Sequence, residues 1–95
     1  METEKEIYKT ELVPITFLIT DRLNNPVIPT IAFVRIYDES KELLDARECS
    51  VSSNTMTMLT SGSPFDTEGV YKLVFEIFST PYKFFHITNI KVKDF

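Results

Sequence analysis

Residues 70–78 read Val-Tyr-Lys-Leu-Val-Phe-Glu-Ile-Phe. Every second residue from Tyr71 to Ile77 is large and apolar, whereas Lys72 and Glu76 lie between these positions. Successive side chains of a β-strand point to opposite sides, so this period of two predicts a strand with one face in a core and the other outside it. We therefore expect a fold built around a sheet that contains this segment.

The same two-residue alternation appears in four other segments of the chain. β-branched and aromatic residues carry it, which is typical of strands and not of helices. The segments are Ile15–Thr20, Ile31–Tyr37, Thr55–Thr60 and Tyr82–Val92, and stretches rich in turn-forming residues separate them. In the last segment the alternation shifts phase near Thr88 and Asn89, which predicts a β-bulge there.

The stretch 38–48 is the one segment whose secondary structure the pattern leaves open. It consists largely of good helix formers, and Ser40 is a candidate N-cap. A helix of two turns has little cooperative stability of its own, so a hairpin followed by a short strand is the favoured prediction.

Chain length and strand count predict the domain organisation. A chain of 95 residues, 43% of them hydrophobic, builds one core and therefore one domain. Six or seven short strands without a sustained helical period predict two packed antiparallel sheets, with a barrel as the alternative. Residues 1–11 are charged and precede the first clear strand, so we expect an N-terminal arm that is flexible or that adds to a neighbour's sheet edge. The domain proper is then residues 12–95.

Charge and hydropathy limit the classes of partner. The net charge is −4, and basic residues are scattered among acidic ones along the sequence, which predicts no nucleic-acid binding. No stretch reaches the roughly 18 apolar residues of a membrane-crossing helix, so no membrane segment is predicted. The acidic start, Met1 to Glu6, lacks the basic region and apolar run of a secretory signal. We expect a protein that stays in the cytosol or leaves it without a signal peptide.

The sequence contains no recognisable catalytic or cofactor motif. His86 is the only histidine and Cys49 the only cysteine, and neither lies in a nucleophile motif. The acidic residues of the stretch 38–48 lack the alternate spacing and the turn glycine of a calcium loop. Gly62 and Gly69 are isolated and do not form a phosphate-binding loop. The prediction is a protein that is not an enzyme and uses no cofactor or metal.

Several of these segments, taken in order, resemble a known class of module. They are Ile15–Thr20, Asp21-x-x-Asn24-Asn25-Pro26-Val27, Val34-Arg35-Ile36-Tyr37-Asp38, Met58-Leu59-Thr60 and Gly69-Val70-Tyr71-x-Leu73-x-Phe75. Across roughly residues 12–95 they resemble the immunoglobulin-like modules of bacterial surface proteins and of virion proteins of tailed phages. The resemblance implies an all-β, antiparallel immunoglobulin-like β-sandwich of about seven strands. With one cysteine and no tryptophan, the chain does not resemble an antibody domain, whose core is a Cys–Trp–Cys cluster.

The outward side of this sandwich is the predicted functional surface. In such a module the strand at 31–37 neighbours the strand at 70–78, and their outward residues form one face. That face contains Phe33, Arg35, Tyr37, Lys72, Val74, Glu76 and Phe78. Aromatic residues and arginine are enriched in protein interfaces, so we predict a protein-binding face. The alternative is that a loop or the stretch 38–48 covers it within the same chain.

The resemblance and the predicted surface together imply a function. They imply a non-enzymatic structural or assembly protein of a phage particle, either capsid-decorating or tail-associated, that assembles in the host cytoplasm into a larger oligomer. Its expected partners are other virion proteins or copies of itself. The alternative is an adhesion or carbohydrate-binding module of the bacterial cell surface, in which Tyr37, Phe78 and Tyr82 would contact a glycan.

Overall fold

The computed structural model describes residues 2–95, with side chains from residue 3 onward, and these residues form seven strands and no helix. The strands are β1 (Glu2–Tyr8), β2 (Pro14–Leu18), β3 (Ile31–Tyr37), β4 (Leu43–Ser52), β5 (Thr55–Leu59), β6 (Gly69–Ser79) and β7 (Tyr82–Lys93). The predicted all-β chain of about seven strands is therefore confirmed. The predicted bounds of β3 are correct, and those of β2, β5, β6 and β7 are correct within one or two residues.

The strands form a single sheet in the order β1-β7-β6-β3-β4-β5-β2. Every neighbouring pair is antiparallel except β1 and β7, which run parallel from Glu2 opposite Ile87 to Tyr8 opposite Lys93. The predicted all-antiparallel arrangement is therefore wrong at this edge. Nearly the whole chain separates β1 from β7, so no tight turn between them imposes an antiparallel direction.

The sheet curls so that its two ends share one core. Strand β4 pairs with β3 as far as Cys49 and with β5 from Ser50 onward, so it belongs to both halves of the sheet. Phe17 of β2 packs edge-on against Phe75 of β6, with 5.0 Å between the ring centroids. Three strands separate β2 from β6 in the order, so this contact requires the sheet to bend over itself into a half-barrel.

One face of the curled sheet carries the hydrophobic core, to which all seven strands contribute. The alternating sets that the sequence predicts to be inward are all buried, namely Ala32, Val34 and Ile36 of β3 and Tyr71, Leu73, Phe75 and Ile77 of β6. Phe65, in the loop before β6, is also buried and joins the same cluster. Complete burial of a large apolar side chain is worth about 1.5–3 kcal/mol, so this core is the main source of stability.

Strand β1 is the element that the sequence pattern does not reveal. Residues 2–8, part of the predicted arm, pair with β7 along their whole length, and Met1 lies outside the described residues. Ile7 is buried in the core, and Thr3 meets the buried Thr88 with 3.0 Å between their hydroxyl oxygens. A strand with a single buried apolar residue shows no alternation, which explains why its sequence predicts an arm.

The bulge predicted near Thr88 is wrong. Strand β7 pairs with β6 without interruption over the whole length of β6. Thr88 is fully buried and points into the core, so the apolar pattern breaks because a polar residue occupies a core position and not because the register shifts. A register shift occurs instead at the end of β3, beside Tyr37, where β3 pairs with β4.

The hairpin favoured for the stretch 38–48 is confirmed. The Asp38 carboxylate accepts hydrogen bonds from the backbone N–H groups of Ser40 and Glu42 at 2.8 and 2.9 Å, and Lys41 adopts a positive φ of 66°. Aspartate commonly supports a turn in this way, and the turn reverses the chain between β3 and β4. Strand β4 has 10 residues and is longer than predicted, because it continues past β3 to pair with β5.

Tyr71 ties the start of β6 to the loop before it. Its hydroxyl donates a hydrogen bond of 2.8 Å to the Thr67 carbonyl, and a Cβ on Gly69 would lie 3.1 Å from the same hydroxyl oxygen. We expect Tyr71→Phe to lower the free energy of unfolding by about 1–2 kcal/mol, because a part-buried carbonyl loses its partner. Urea unfolding measures the change, and Tyr82→Phe serves as the exposed control. Equal stability of the Tyr71 variant and the wild type would contradict this role.

Candidate functional site

The structure places all seven residues of the predicted protein-binding face on one side of β3 and β6. Phe33 pairs with Glu76, Arg35 with Val74 and Tyr37 with Lys72, and Phe78 lies opposite Ile31. These positions alternate with the buried core residues of both strands, so their side chains point away from the core. We call the outward side of β3, β6 and β7 the outer face.

The stretch 38–48 does not cover the outer face. Strand β4 lies beside β3 in the sheet, and the turn before β4 joins the ends of these two strands. Phe33 is 37% exposed, and Phe85 on β7 is 56% exposed. The outer face therefore presents aromatic side chains at the surface of this chain.

An ion cluster lies on the outer face. One oxygen of the Glu76 carboxylate lies 2.9 Å from Nη1 of Arg35, and the other lies 2.8 Å from Nζ of Lys83. Only 7% of Glu76 is exposed. The hydrogen bond from Lys83, together with the charges of Lys83 and Arg35, holds the pKa of the Glu76 carboxyl below its usual value. Glu76 is therefore ionised at neutral pH and holds two long cationic side chains in place.

Phenylalanine rings adjoin the ion cluster. Phe33 and Phe78 meet edge to face, with 6.2 Å between their centroids. The Lys83 ammonium lies 5.3 Å from the centre of the Phe78 ring and 5.5 Å from that of Phe85, within the range of cation–π attraction. Aromatic rings beside fixed charges offer a partner both contact area and directional contacts.

The sequence reasoning missed Lys83 and Phe85. Both project outward from β7, where Lys83 lies opposite Phe78 and Phe85 lies opposite Glu76. The short connection between β6 and β7 could have predicted these two positions, because a tight turn fixes which residues of the two hairpin strands lie opposite each other. Counting outward from that turn pairs these residues across the two strands.

The ion cluster predicts an acid-sensitive contribution to stability. A carboxyl whose pKa is lowered in the folded chain stabilises the fold above its unfolded pKa, near 4.5 for Glu76, and this contribution is lost as pH falls through the folded pKa. We expect the wild type to lose more stability between about pH 5 and about pH 3 than the Glu76→Gln variant does. Urea unfolding at a series of pH values measures this. Parallel profiles for the two proteins would contradict the lowered pKa.

Cys49 and His86 lie on different strands of the core. Strands β3 and β6 separate β4 from β7, so about three strand spacings of 4.8 Å lie between them across the sheet. Burial raises the pKa of the Cys49 thiol to about 11. The His86 ring packs on Phe17 with 4.1 Å between centroids, and burial lowers the pKa of the imidazole. Both groups are therefore uncharged at neutral pH and contribute to the packed interior.

The raised pKa of Cys49 predicts an unreactive thiol. Compared with its ordinary value of 9.0, a pKa of about 11 lowers the thiolate fraction at about pH 8 roughly a hundredfold. We expect the folded chain to react with the disulfide reagent DTNB at least about a hundredfold more slowly than the urea-unfolded chain does. Equal rates would contradict the burial of this thiol.

Within residues 3–95, whose side chains are described, no group of three or more His, Cys, Asp or Glu side chains is arranged to hold a metal ion. None of the described residues form a helix that is long and apolar enough to cross a membrane.

The three aromatic residues of the carbohydrate alternative do not lie together. Tyr37 is the last residue of β3, and Phe78 of β6 lies opposite Ile31, the first residue of β3. A distance of about 20 Å along the strand therefore separates Tyr37 from Phe78. Tyr82 instead lines a groove of about 830 Å³ between the loop that follows β2 and the β6–β7 turn. Leu23 and Ile28, which are 81% and 68% exposed, line the same groove and make it largely apolar.

No protein-family model matches this sequence, and no curated protein is significantly similar to it.

Proposed function

We propose that this chain is an immunoglobulin-like β-sandwich that acts as a non-enzymatic assembly protein of a phage particle, through contacts made by its outer face. In this proposal it decorates the capsid or belongs to the tail. Its partners are other virion proteins or further copies of the chain, in an oligomer that forms in the host cytoplasm. The proposed contact function rests on the exposed aromatic surface around the ion cluster. The proposal that the contact is made in a phage particle rests on the motif resemblance across residues 12–95.

Two features support the sandwich. The hydrogen bond from Tyr71 to the Thr67 carbonyl matches the tyrosine corner found where a late strand begins in immunoglobulin-like sandwiches. Strand β4 leaves β3 at Cys49 and joins β5 at Ser50, as a strand does when it passes from one packed sheet to the other. In the proposed sandwich, division at this point assigns β1, β7, β6, β3 and the first part of β4 to one sheet, and the last part of β4, β5 and β2 to the other.

The outer face supports a contact function. Apolar area gains roughly 25 cal/mol per Å² when it leaves water, and Phe33 and Phe85 remain substantially exposed in the single chain. A stable protein interface buries about 800 Å² on each partner, which corresponds to a large part of the surface on one side of a small domain. The fixed Arg35–Glu76–Lys83 cluster adds charges whose positions a partner can match.

The composition of purified particles tests the phage proposal. Phage particles released by the strain that carries this gene are banded on a density gradient, and their proteins are quantified by mass spectrometry. We expect this chain in a fixed stoichiometric ratio to the major capsid or tail protein. Gold-labelled antibody then locates it on the head or the tail. Absence of the chain from intact, purified particles would overturn the proposal.

The groove beside Tyr82 favours a second candidate, an adhesion or carbohydrate-binding module of the bacterial surface. Tyr82 is 66% exposed and lies 6.4 Å from the partly buried Phe84 ring, measured between centroids, so one exposed and one partly buried aromatic ring line the groove. Sugar rings stack on such surfaces. A glycan array probed with wild type and with Tyr82→Ala tests this candidate: a glycan bound only by the wild type supports it, and no bound glycan removes it.

A further inference from the structure

The link between β1 and β2 holds a strained backbone. It consists of residues 9–13, and Thr10 within it has a φ of 68°. In this left-handed region the Cβ atom crowds the carbonyl oxygen, and a β-branched residue such as threonine is seldom found there. The Glu11 N–H donates a hydrogen bond of 3.0 Å to the Tyr8 carbonyl, so Thr10 lies inside a tight turn. The turn that leads from β1 to β2 within one chain is therefore formed against an unfavourable backbone conformation.

Strand β1 is held in the sheet by a distant part of the chain. It lies at one edge of the sheet, and its backbone pairs with β7 alone. The Thr3 and Thr88 hydroxyl oxygens are 3.0 Å apart, and Glu6 binds Lys93 at 2.9 Å. Among the described side chains of β1, only Ile7 is buried. The β7 and the core of a second copy of the chain offer β1 these same partners.

We propose that β1 is exchanged between two copies of this chain, so that the β1 of each copy pairs in parallel with the β7 of the other. In the exchanged dimer the link at 9–13 is extended, and Thr10 leaves the left-handed region. The contacts of β1 are re-formed between the two chains, whereas the strain of the two links is lost. Short links under strain favour this kind of exchange. The inference goes beyond the proposed function, since it uses the edge of the sheet and not the outer face.

The surroundings of the link fit a second copy of the chain. The extended backbone from Tyr8 to Pro14 spans about 20 Å, so two copies that exchange β1 have to meet beside their links. Tyr8 and Leu12 are 47% and 62% exposed there, and the Phe95 ring stacks on Tyr8 with 5.9 Å between centroids. A neighbouring copy at this position covers part of this apolar area, which stabilises the dimer relative to the closed chain.

The sequence of β1 selects a second copy over an unrelated strand. A strand that replaces β1 has to place a hydroxyl opposite Thr88, a carboxylate near Lys93 and an apolar side chain in the core. These are the positions of Thr3, Glu6 and Ile7 in the parallel register. A second β1 meets all three requirements without any change of register.

Cysteines placed on two different chains test the exchange directly. One chain carries Glu6→Cys and the other Lys91→Cys, because these residues lie opposite each other in the β1–β7 pair. Both chains also carry Cys49→Ala, which removes the natural thiol. The two chains, one of them tagged, are mixed in urea and refolded together, and disulfide-linked heterodimers are quantified on a non-reducing gel. We expect at least about ten times more heterodimer than from Leu18→Cys with Lys91→Cys, since Leu18 is exposed on β2 and does not pair with β7.

Variants of the link test the role of Thr10. Thr10→Gly accepts the left-handed conformation without strain, so it should raise the Kd of the dimer at least about tenfold in analytical ultracentrifugation. Thr10→Pro fixes φ near about −65° and disfavours the closed turn, so it should lower the Kd at least about tenfold. The control is Lys41→Gly, which removes the same kind of strain, a φ of 66°, from the turn between β3 and β4. It should leave the Kd within about twofold. Thermal unfolding confirms that the three variants fold.

Each other outcome overturns the proposal. Heterodimer yields equal to those of the Leu18 pair, with a wild type that stays monomeric over the concentration series, would mean that β1 remains on its own chain. A dimer that forms without the disulfide between positions 6 and 91 would place the contact on another surface. Equal effects of Thr10→Gly and Lys41→Gly would mean that strain in the link does not drive the exchange. None of these results depends on finding the chain in particles, so failure here is distinct from failure of the phage proposal.

Discussion

Phe75→Ala is expected to lower the free energy of unfolding by about 3–5 kcal/mol. Phe75 is fully buried in β6, and its ring meets that of Phe17 from the opposite end of the sheet. The variant removes the largest part of this contact and leaves a cavity where the curled sheet closes on itself. A small domain has about 5–15 kcal/mol of stability in total, so the variant loses a large part of it and should unfold at a clearly lower urea concentration than the wild type.

Urea unfolding, followed by circular dichroism and fluorescence, measures the loss at Phe75. Leu23→Ala is the control, because Leu23 is 81% exposed and its truncation should change stability by less than about 0.5 kcal/mol. A loss at Phe75 of less than about 1 kcal/mol would mean that β2 and β6 do not pack together and that the sheet does not close into a half-barrel.

Under the proposed phage function, Phe85→Ala is expected to reduce incorporation of the chain into particles at least about thirtyfold, while leaving its fold intact. Phe85 is 56% exposed on β7, beside the Lys83 ammonium and opposite the Glu76 position. Truncation of an aromatic residue at the centre of an interface commonly costs about 2 kcal/mol or more, which corresponds to this reduction. Because Phe85 contributes little to the core, thermal unfolding of the variant should match the wild type.

Competition between tagged variants and wild-type chain during particle assembly measures this effect. Leu18→Ala is the matched control, because Leu18 is 73% exposed on β2, far from the outer face in the strand order. Wild-type incorporation of Phe85→Ala would contradict the contact role of the outer face. An equal defect in the Leu18 variant would point to a general effect of exposed apolar residues.

The sequence was sufficient to predict the strands whose burial follows a strict period of two. In β3, every second residue is buried from Ala32 to Ile36, and the predicted bounds are those observed. The alternation failed at β1, where Ile7 is the one buried apolar residue, and at Thr88, where a hydroxyl occupies a core position and pairs with Thr3. Both exceptions lie at the β1–β7 pair, and a parallel partner so distant in sequence leaves no local signal.

The outer face was predictable in part. Knowledge that β3 and β6 are neighbours was enough to select Phe33, Arg35 and Glu76, since alternate residues of paired strands share a side. Lys83 and Phe85 required the register of the β6–β7 hairpin, which fixes them opposite Phe78 and Glu76. The ion cluster was not predictable from the linear distribution of its charges, because only the lateral pairing of three strands brings Arg35, Glu76 and Lys83 onto one surface.

Cryo-electron microscopy of the purified phage particle tests the central claim most directly, because it shows what each side of this chain touches. We predict density for the chain on the particle, with the outward side of β3, β6 and β7 pressed against a neighbouring subunit and the Phe33 and Phe85 rings covered. A particle in which that side of the chain faces solvent while another surface makes the contact would contradict the account.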